Sequence, residues 1–589
     1  MNQPHNEYPR PQFERKEWIN LNGEWSYAFD FSRSGGEKGW EAAECFEGKI
    51  KVPFCPESKL SGVGYTDFIE MMWYQRNVKI PIPWARKKIL LHFGGVDYKC
   101  IIYVDGTEVG RHTGGISPFT IDLTKFVQAG GSHNLVLQVE DDLRSGLQAM
   151  GKQSPWHQSK GCSYTRTTGI WQTVWMEAVD PCALKTCRIV ADYDNRAFSF
   201  IPTFHASRRG LRLTVSAYDQ GNKVASSTVN ANDSCAVTIK LAQPKEWNPE
   251  TPFLYDIQYT LKDENGIVLD EVFSYAGLRK VHIEGDRFYL NNQPFFCRFV
   301  LDQGFYQDGL WTAPNDDALR QDIKLSMKAG FNGARLHQKI FAERFHYWAD
   351  RMGYLTWAEF PDWGMSFWQH FRPTNPDYNL SFRDYFAEWS AVLERDMNHP
   401  SIVAWTPFNE TRAFYDLEEH RRFIRDIYDL TRRLDPSRPV NDTSGYIHVK
   451  TDFWTIHTYA QTVEALAEQV NQEPVYIFKP DLETVAWNGQ PYIVDEYGGV
   501  SYLPEGHKAF ADNSWGYNRD KLSQEETEQR IVSLTKFLVT HPRVSGYCYT
   551  QLTDIEQEQN GIYNYDRTAK FDAKTIRDCF TMKPEWSRF

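Results

Sequence analysis

The spacing of hydrophobic residues changes twice along this chain. Over residues 13–178, short runs such as Gly23–Phe29 alternate between apolar and polar positions and are separated by turn residues. This pattern predicts a β-sandwich, and Asp105-Gly106 predicts a tight hairpin because a type I′ turn needs positive φ at both positions. A second set of alternating runs, over residues 184–276, is typical of an immunoglobulin-like β-sandwich.

After Gly285, strand-like runs alternate with helix-period segments, which predicts parallel βα units. The expected strands begin near Phe295, Phe331, Tyr354, Ile402, Pro439, Trp454, Tyr492 and Val544. Eight strands with intervening helices are typical of a (β/α)8 TIM barrel. We therefore predict a multidomain all-β plus α/β fold, with a jelly-roll-like sandwich at 1–180, an immunoglobulin-like sandwich at 181–280 and a barrel at 281–589.

Composition limits the partners. The net charge of -12 argues against nucleic acid, whose phosphates need a basic surface. The aromatic content of 15% is high; it fits a carbohydrate ligand, because aromatic rings stack on sugars, and it fits an aromatic β-sheet core equally well. No apolar run reaches the roughly 18 residues of a membrane span, so we expect no membrane partner.

The cysteines and the N-terminus favour a cytoplasmic protein. Ten cysteines are scattered with no C-x-x-C pair and no metal-ligand spacing. This distribution is typical of free thiols in a reducing compartment. The first 13 residues are polar and contain no apolar segment of a signal peptide.

Two carboxylates end separate apolar strands. One run beginning at Ile402 ends in Asn409 and Glu410, and another beginning at Tyr492 ends in Glu496. The carboxyl ends of barrel strands meet at the active site. A pair of carboxylates there can cleave a glycosidic bond, and a separation of about 5 to 5.5 Å would make the enzyme retaining. A lone strand-end glutamate is as readily structural, so the pair is the specific signal.

Polar residues at other strand ends are candidates for substrate binding. We expect Asn409 to bind a sugar hydroxyl, Tyr497 to donate to the nucleophile, and Arg335 to keep Glu496 ionised. The remaining strand-end candidates contact substrate or form a hydrogen-bonded rim: Asp302, His337, His457, Tyr459 and Gln551.

Two long loops carry aromatic residues. The loop after the third strand contains Trp363, Phe367, Trp368 and Phe371 and serves as a sugar platform or as a lid. The loop after Gly498 contains Trp515 and Tyr517 and could wall the same pocket.

Several motifs are shared with a known family: Leu21-Asn22-Gly23-Glu24-Trp25, Thr168-Gly169-Ile170-Trp171, Gly277-Leu278-Arg279, Trp405 to Glu410, and Asp495-Glu496-Tyr497-Gly498. Over nearly its whole length the chain resembles glycoside hydrolase family 2, the group of β-galactosidases, β-glucuronidases and β-mannosidases. The resemblance implies a sugar-binding first sandwich and a catalytic barrel. It also implies that Glu410 is the general acid/base and Glu496 the nucleophile. Family members are often dimers or tetramers, so it leaves a homo-oligomer open.

Departures from the family bear on the sugar. Residues 299–304 replace an Asn-Arg-His-Glu-like stretch of β-galactosidases, and Glu558-Gln559-Asn560 replaces the Asn-x-Lys pair of β-glucuronidases. The positions that bind magnesium in large β-galactosidases have no match after Glu359, so we expect no metal and no cofactor. Asp142, or its neighbour Asp141, resembles the point where the first sandwich reaches a carboxylate into the pocket.

The prediction from sequence is a retaining, exo-acting glycoside hydrolase of terminal β-glycosides, with a β-galactosidase-like enzyme first. The alternatives are a β-glucuronidase, a β-mannosidase or a less common glycosidase, including a furanosidase. A rival from another class is a carbohydrate-binding protein on an inactive hydrolase scaffold.

Overall fold

The computed structural model describes residues 3–364, 379–411, 417–473, 475–477, 484–506, 510 and 513–587. The N-terminal strands are β1 Trp18–Asn20, β2 Gly23–Phe29, β3 Gly48–Val52, β4 Met71–Lys79, β5 Lys88–Phe93, β6 Val96–Asp97, β7 Lys99–Val104, β8 Thr107–Thr113, β9 Phe119–Asp122, β10 Ser132–Glu140, β11 Gly169–Ile170 and β12 Val174–Val179. Two sheets, β1-β12-β5-β9 and β3-β2-β4-β10-β7-β8, enclose a core that includes Leu91, Ile102 and Leu137. The predicted Asp105-Gly106 hairpin is present, with φ values of 50° and 78°.

A second sandwich follows. Its strands are β13 Leu184–Asp192, β14 Ala197–Phe204, β15 Arg212–Asp219, β16 Asn222–Asn230, β17 Val237–Lys240, β18 Tyr255–Lys262 and β19 Val268–Ala276. The sheets β13-β14-β17 and β16-β15-β18-β19 pack around apolar residues such as Leu213, Val215 and Tyr259. Arg15 ties the two sandwiches together, because its guanidinium pairs with Glu177 at 3.0 Å and with Asp270 at 2.9 Å.

The barrel begins after a small antiparallel sheet of β20 Val281–Glu284, β21 Arg287–Leu290 and β22 Gln293–Phe295. Its strands are β23 Cys297–Asp302, β24 Gly333–Leu336, β25 Leu355–Glu359, β26 Ile402–Thr406, β27 Phe408–Asn409, β28 Thr443–Ser444, β29 Trp454–Thr458, β30 Tyr492–Gly498 and β31 Val544–Thr550. Its helices are α1 Asp316–Ala329, α2 Glu343–Met352, α3 Asn379–Asp396, α4 Leu417–Leu434, α5 Val463–Val470, α6 Gln524–Thr540 and α7 Ala573–Phe580.

Parallel pairing closes most of the barrel wall. One sheet has the order β26-β25-β24-β23-β31-β30-β29, and the parallel pair β27-β28 lies between its two ends. The fifth predicted strand, near Pro439, contributes a bridge from Val440 to Trp405 and then the short β28. All of the carboxyl ends of these strands therefore face one rim, where the candidate residues lie.

Two further expectations concern cysteine and membranes. Each of the ten cysteines is a free thiol, as predicted. None of the helices in the described ranges is both long enough and apolar enough to cross a membrane.

Candidate active site

Glu410 lies at the end of β27. Pro407 separates β26 from this short strand, and the Glu410 N–H donates to the Ser444 carbonyl at 2.8 Å. The φ of Glu410 is 52°, in the left-handed region that residues other than glycine seldom adopt and that often marks functional sites. The β27-β28 pairing thus fixes an unusual backbone conformation at this carboxylate.

Glu496 lies within β30 and is only 5% exposed. Its Oε1 accepts from Arg335 at 3.0 Å, and its Oε2 accepts from the Tyr459 hydroxyl. Burial opposes ionisation, but the positive charges of His457 and Arg335 outweigh it and hold the pKa of Glu496 well below its usual range. The carboxylate is therefore ionised at neutral pH, as a nucleophile must be.

Glu410 and Glu496 face each other across His457. The His457 Nδ1 lies 2.7 Å from Oε1 of Glu410 and 3.5 Å from Oε2 of Glu496. One atom from each of these three side chains lies within 4.8 Å of the other two. This spacing is close to the roughly 5 to 5.5 Å of retaining glycosidases and below the range of inverting ones.

The same three side chains could also be read as a metal site, but the charge on His457 opposes this. Its Nε2 faces Ser444 Oγ at 2.9 Å and Asp495 at 3.5 Å. Although burial lowers the pKa of His457, the charges of Glu496 and Asp495 raise it to about 10. A doubly protonated imidazole has no lone pair for a metal, so a metal ion would have to displace a proton from His457 to bind here.

Arg335 connects the site residues. Its guanidinium donates to Glu359 at 2.7 Å and to the Asn409 Oδ1 at 2.7 Å, in addition to Glu496. Burial works against the charge on Glu359, but Arg335 and His337 lower the pKa of that carboxyl to about 2. Since Asn409 Oδ1 is held in this way, its Nδ2 points away, and in the described part of the chain this buried Nδ2 has no partner. It is a free donor for a ligand.

The predicted contact of Tyr497 with Glu496 is wrong, and the substrate contacts expected of Asp302 and Asp142 stay predictions. The Tyr497 hydroxyl pairs with Thr535 Oγ1 at 2.8 Å, because its side chain lies on the outer face of β30, and Tyr459 takes the expected place beside Glu496. Asp302 accepts from the Gly304 N–H at 2.9 Å, and its charged neighbours are Asp322, Arg567 and Lys339.

Asp142 was expected to reach from the first sandwich into the pocket. It is half-buried in the β10–β11 connection, and its carbonyl accepts from the Ser145 N–H at 3.0 Å. The neighbouring Asp141 carboxylate is held within the first sandwich by Gln148 and Thr168. Tyr164 and Lys152 of the same connection contact barrel residues.

The three described aromatic residues of these loops, Trp363, Trp515 and Tyr517, support the site through packing and hydrogen bonds. Trp363 is 2% exposed, and its indole N–H donates to the Asn409 carbonyl at 3.1 Å. Tyr517 stacks on Tyr459 with ring centroids 3.3 Å apart. Trp515 donates to the Gly161 carbonyl of the first sandwich at 2.9 Å. Phe367, Trp368 and Phe371 lie outside the described residues.

Sequence reasoning missed one side of the pocket. Glu558, in the loop after β31, accepts from the hydroxyl of Tyr164, which belongs to the first sandwich. Lys152, from the same connection as Tyr164, lies over the Trp363 ring at 3.6 Å. Gln551 donates to Asn560 at 2.8 Å and accepts from Gln303 at 2.7 Å, so it supports this side. In the sequence, only the replacement of the Asn-x-Lys pair at Glu558 had indicated that this side of the pocket is unusual.

Family comparison agrees with this arrangement. Residues 281–582, more than half of the 589, match the model of the glycosyl hydrolases family 2 TIM barrel domain. The chain belongs to glycosyl hydrolase family 2. Residues 19–159 match the sugar binding domain of family 2, and residues 206–279 match a further family 2 model. As a family 2 member, the protein is a retaining glycosidase that hydrolyses O-glycosyl bonds of a carbohydrate substrate.

Relatives within family 2 carry different names. The chain is 24% identical over 442 residues to a β-glucuronidase of Paenibacillus borealis, covering 72% of each chain. It is 27% identical over 449 residues to a β-galactosidase of Thermoanaerobacter pseudethanolicus, covering 74% of this chain and 55% of that one. A β-glucuronidase structure from Ruminococcus gnavus with D-glucuronic acid has a TM-score of 0.79 at 20% identity, covering 98% of this chain and all of that one. That structural likeness shows the fold.

Replacing Tyr459 or Tyr497 with phenylalanine tests whether Tyr459, rather than Tyr497, donates to Glu496. We expect Tyr459→Phe to lower kcat/KM about 10- to 100-fold, because a hydrogen bond to a charged group contributes about 1.5–3 kcal/mol. The matched Tyr497→Phe loses only the bond to Thr535, so its activity should stay within about twofold while its melting temperature falls. Equal activity losses in the two variants would contradict the assignment.

Proposed function

We propose that the chain is an exo-acting retaining β-glycosidase in which Glu496 attacks the anomeric carbon and Glu410 is the acid/base. The observation that carries this proposal is the close approach of the two carboxylates, with His457 between them. Glu410 first protonates the leaving oxygen and then activates water, while Glu496 forms and releases the glycosyl ester. Tyr459 and Arg335 keep Glu496 ionised and oriented.

The end of the pocket supports exo action. The loops around Glu558 and Trp515 bond to Tyr164 and Gly161 of the first sandwich, and we infer that this contact between two domains closes one end of the site. A closed end accepts a terminal sugar and leaves the rest of the chain outside.

Two observations bear on the sugar. β-Glucuronidases are more frequent than β-galactosidases among the similar proteins, which favours β-glucuronides over the expected β-galactosides. Glu558 and Asn560, in place of Asn-x-Lys, favour an uncharged sugar instead. Hydrolysis of a panel of 4-nitrophenyl β-glycosides tests the function, and absence of turnover on every member would overturn it.

Replacing Glu410 tests the acid/base role. We expect Glu410→Ala to lower kcat on a 4-nitrophenyl glycoside about 100- to 10,000-fold, the usual contribution of general acid–base catalysis. The leaving group of a 2,4-dinitrophenyl glycoside needs less protonation. The rate of the first step on this substrate should therefore fall far less. Azide should restore turnover and give a β-glycosyl azide, because it replaces the water that Glu410 activates. An equal loss on both leaving groups, without azide rescue, would assign Glu410 another role.

A further inference from the structure

Glu558 is held by hydrogen bonds from both the first sandwich and the barrel. Its side chain is 2% exposed, Oε2 accepts from Tyr164, and Oε1 accepts from Asn560 Nδ2 at 3.0 Å. Burial, followed by the charges of Glu558 and Glu496, raises the pKa of the Tyr517 phenol, and the Tyr517 ring stacks on Tyr459, which donates to Glu496. Because a carboxylate offers about four acceptor positions, Glu558 can accept from a ligand as well.

Lys152 is the opposite charge on this side. It is 6% exposed, and its Nζ lies 3.6 Å from the centroid of Trp363, the ring that donates to Asn409. Across the described ranges, no hydrogen bond or ion pair involves this Nζ, yet its charge acts on both Glu558 and His337. Its three donors are therefore available to a ligand bound in the site.

Tyr164 links the two residues, because its N–H donates to the Lys152 carbonyl at 2.7 Å and its hydroxyl donates to Glu558. Within the described residues, no ion pair joins Lys152 to Glu558 directly. A sugar hydroxyl can accept from Lys152 and donate to Glu558, because it is both acceptor and donor. The carboxylate of a uronide can only accept, and next to Glu558 it adds a like charge.

We propose that Glu558 and Lys152 select an uncharged glycone, by binding its hydroxyl groups between them and by excluding uronides. This inference rests on the proposed glycosidase function. It assigns a role in binding to the first sandwich, since Lys152 and the Tyr164 that orients Glu558 both come from the β10–β11 connection.

Matched substrates that differ only at C6 test the proposal. The pairs are the 4-nitrophenyl β-glucoside with the β-glucuronide and the β-galactoside with the β-galacturonide. For at least one pair, we expect the wild-type kcat/KM for the neutral sugar to exceed that for the uronide about 100-fold or more, since juxtaposed like charges cost several kcal/mol. Glu558→Gln keeps the shape and removes the charge, so it should narrow this ratio at least about tenfold. A wild-type preference for uronides, or an unchanged ratio in Glu558→Gln, overturns the proposal.

A second variant keeps the test decisive if Glu558→Gln does not fold. We expect Lys152→Gln to lower kcat/KM for the preferred neutral sugar at least about tenfold, because three charged donors are lost. Thermal unfolding monitored by circular dichroism checks that this variant is folded. An unchanged kcat/KM in a folded Lys152→Gln protein overturns the role of Lys152.

Binding separates the failure of this inference from the failure of the proposed function. Calorimetry with the wild-type protein compares isofagomine with uronic isofagomine, neither of which needs turnover. Tighter binding of isofagomine in a protein that hydrolyses no glycoside would overturn the glycosidase proposal and keep the selectivity. Tighter binding of the uronic form, or binding of neither, overturns the selectivity.

Discussion

Replacing Glu496 with Gln is expected to lower kcat on aryl β-glycosides by about 10,000-fold or more, the range seen when a catalytic nucleophile is removed. The amide cannot form the glycosyl ester, although it keeps the size of the carboxylate and can still accept from Tyr459. Binding of a neutral inhibitor should change much less than kcat. Steady-state kinetics on a 4-nitrophenyl glycoside measures the loss, and residual activity of more than a few per cent would refute the assignment.

A second buried glutamate, on an outer helix of the barrel, provides a matched control for this substitution. Glu388, on α3, is buried away from the site, where its carboxylate accepts from the Ile116 N–H at 3.2 Å. Burial raises the pKa of Glu388 to about 8, so it is largely protonated at neutral pH and Gln is a close substitute. We expect Glu388→Gln to keep full activity. In the wild-type protein, a 2-fluoroglycoside should add its sugar mass to the peptide that contains Glu496, and an adduct elsewhere would contradict the mechanism.

The hydrophobic period and the strand ends together predicted the fold and the proposed pair. β-Strands buried on both faces appear as apolar runs, so the runs before Glu410 and Glu496 indicated strands and their polar ends indicated the rim. Arg335 was also expected beside Glu496, and it lies there. These features are local in sequence, and the barrel topology alone brings them together.

The positions of the residues that were missed or misplaced depend on strand pleat and on domain packing. Tyr497 and Tyr459 both follow apolar runs, and only the pleat of each strand decides which hydroxyl faces the pocket. Lys152 and Tyr164 reach the pocket from another domain, about 250 or more residues before Glu410 in the chain. No local pattern encodes such a contact, because it depends on how the sandwich packs on the barrel.

Arg335→Met is expected to reduce both stability and activity. The substitution leaves Glu359, Asp495 and Glu496 buried without the guanidinium, and removing one partner of a buried ion pair typically costs about 3–5 kcal/mol. Asn409 also loses the donor that orients its amide. Urea unfolding should show the lower stability, and kcat/KM should fall at least about 100-fold because the nucleophile is less readily ionised and is poorly held.

The pH dependence of this destabilisation distinguishes charge pairing from simple loss of packing. Against the effect of burial, Arg335 and His337 lower the folded-state pKa of Glu359 to about 2, and His457 and Arg335 depress that of Glu496. A carboxyl group whose pKa is lower in the folded state stabilises the fold at pH values above its unfolded-state pKa of about 4.3. This contribution is lost as the pH falls through the folded-state pKa. The stability gap between wild type and Arg335→Met should therefore be largest near neutral pH and shrink below about pH 4. Arg335→Lys keeps one charge, but a lysine cannot donate to Glu359, Glu496 and Asn409 at the same time. This variant should therefore recover part of the stability and little of the activity. A gap that does not change with pH would mean that Arg335 contributes packing rather than charge.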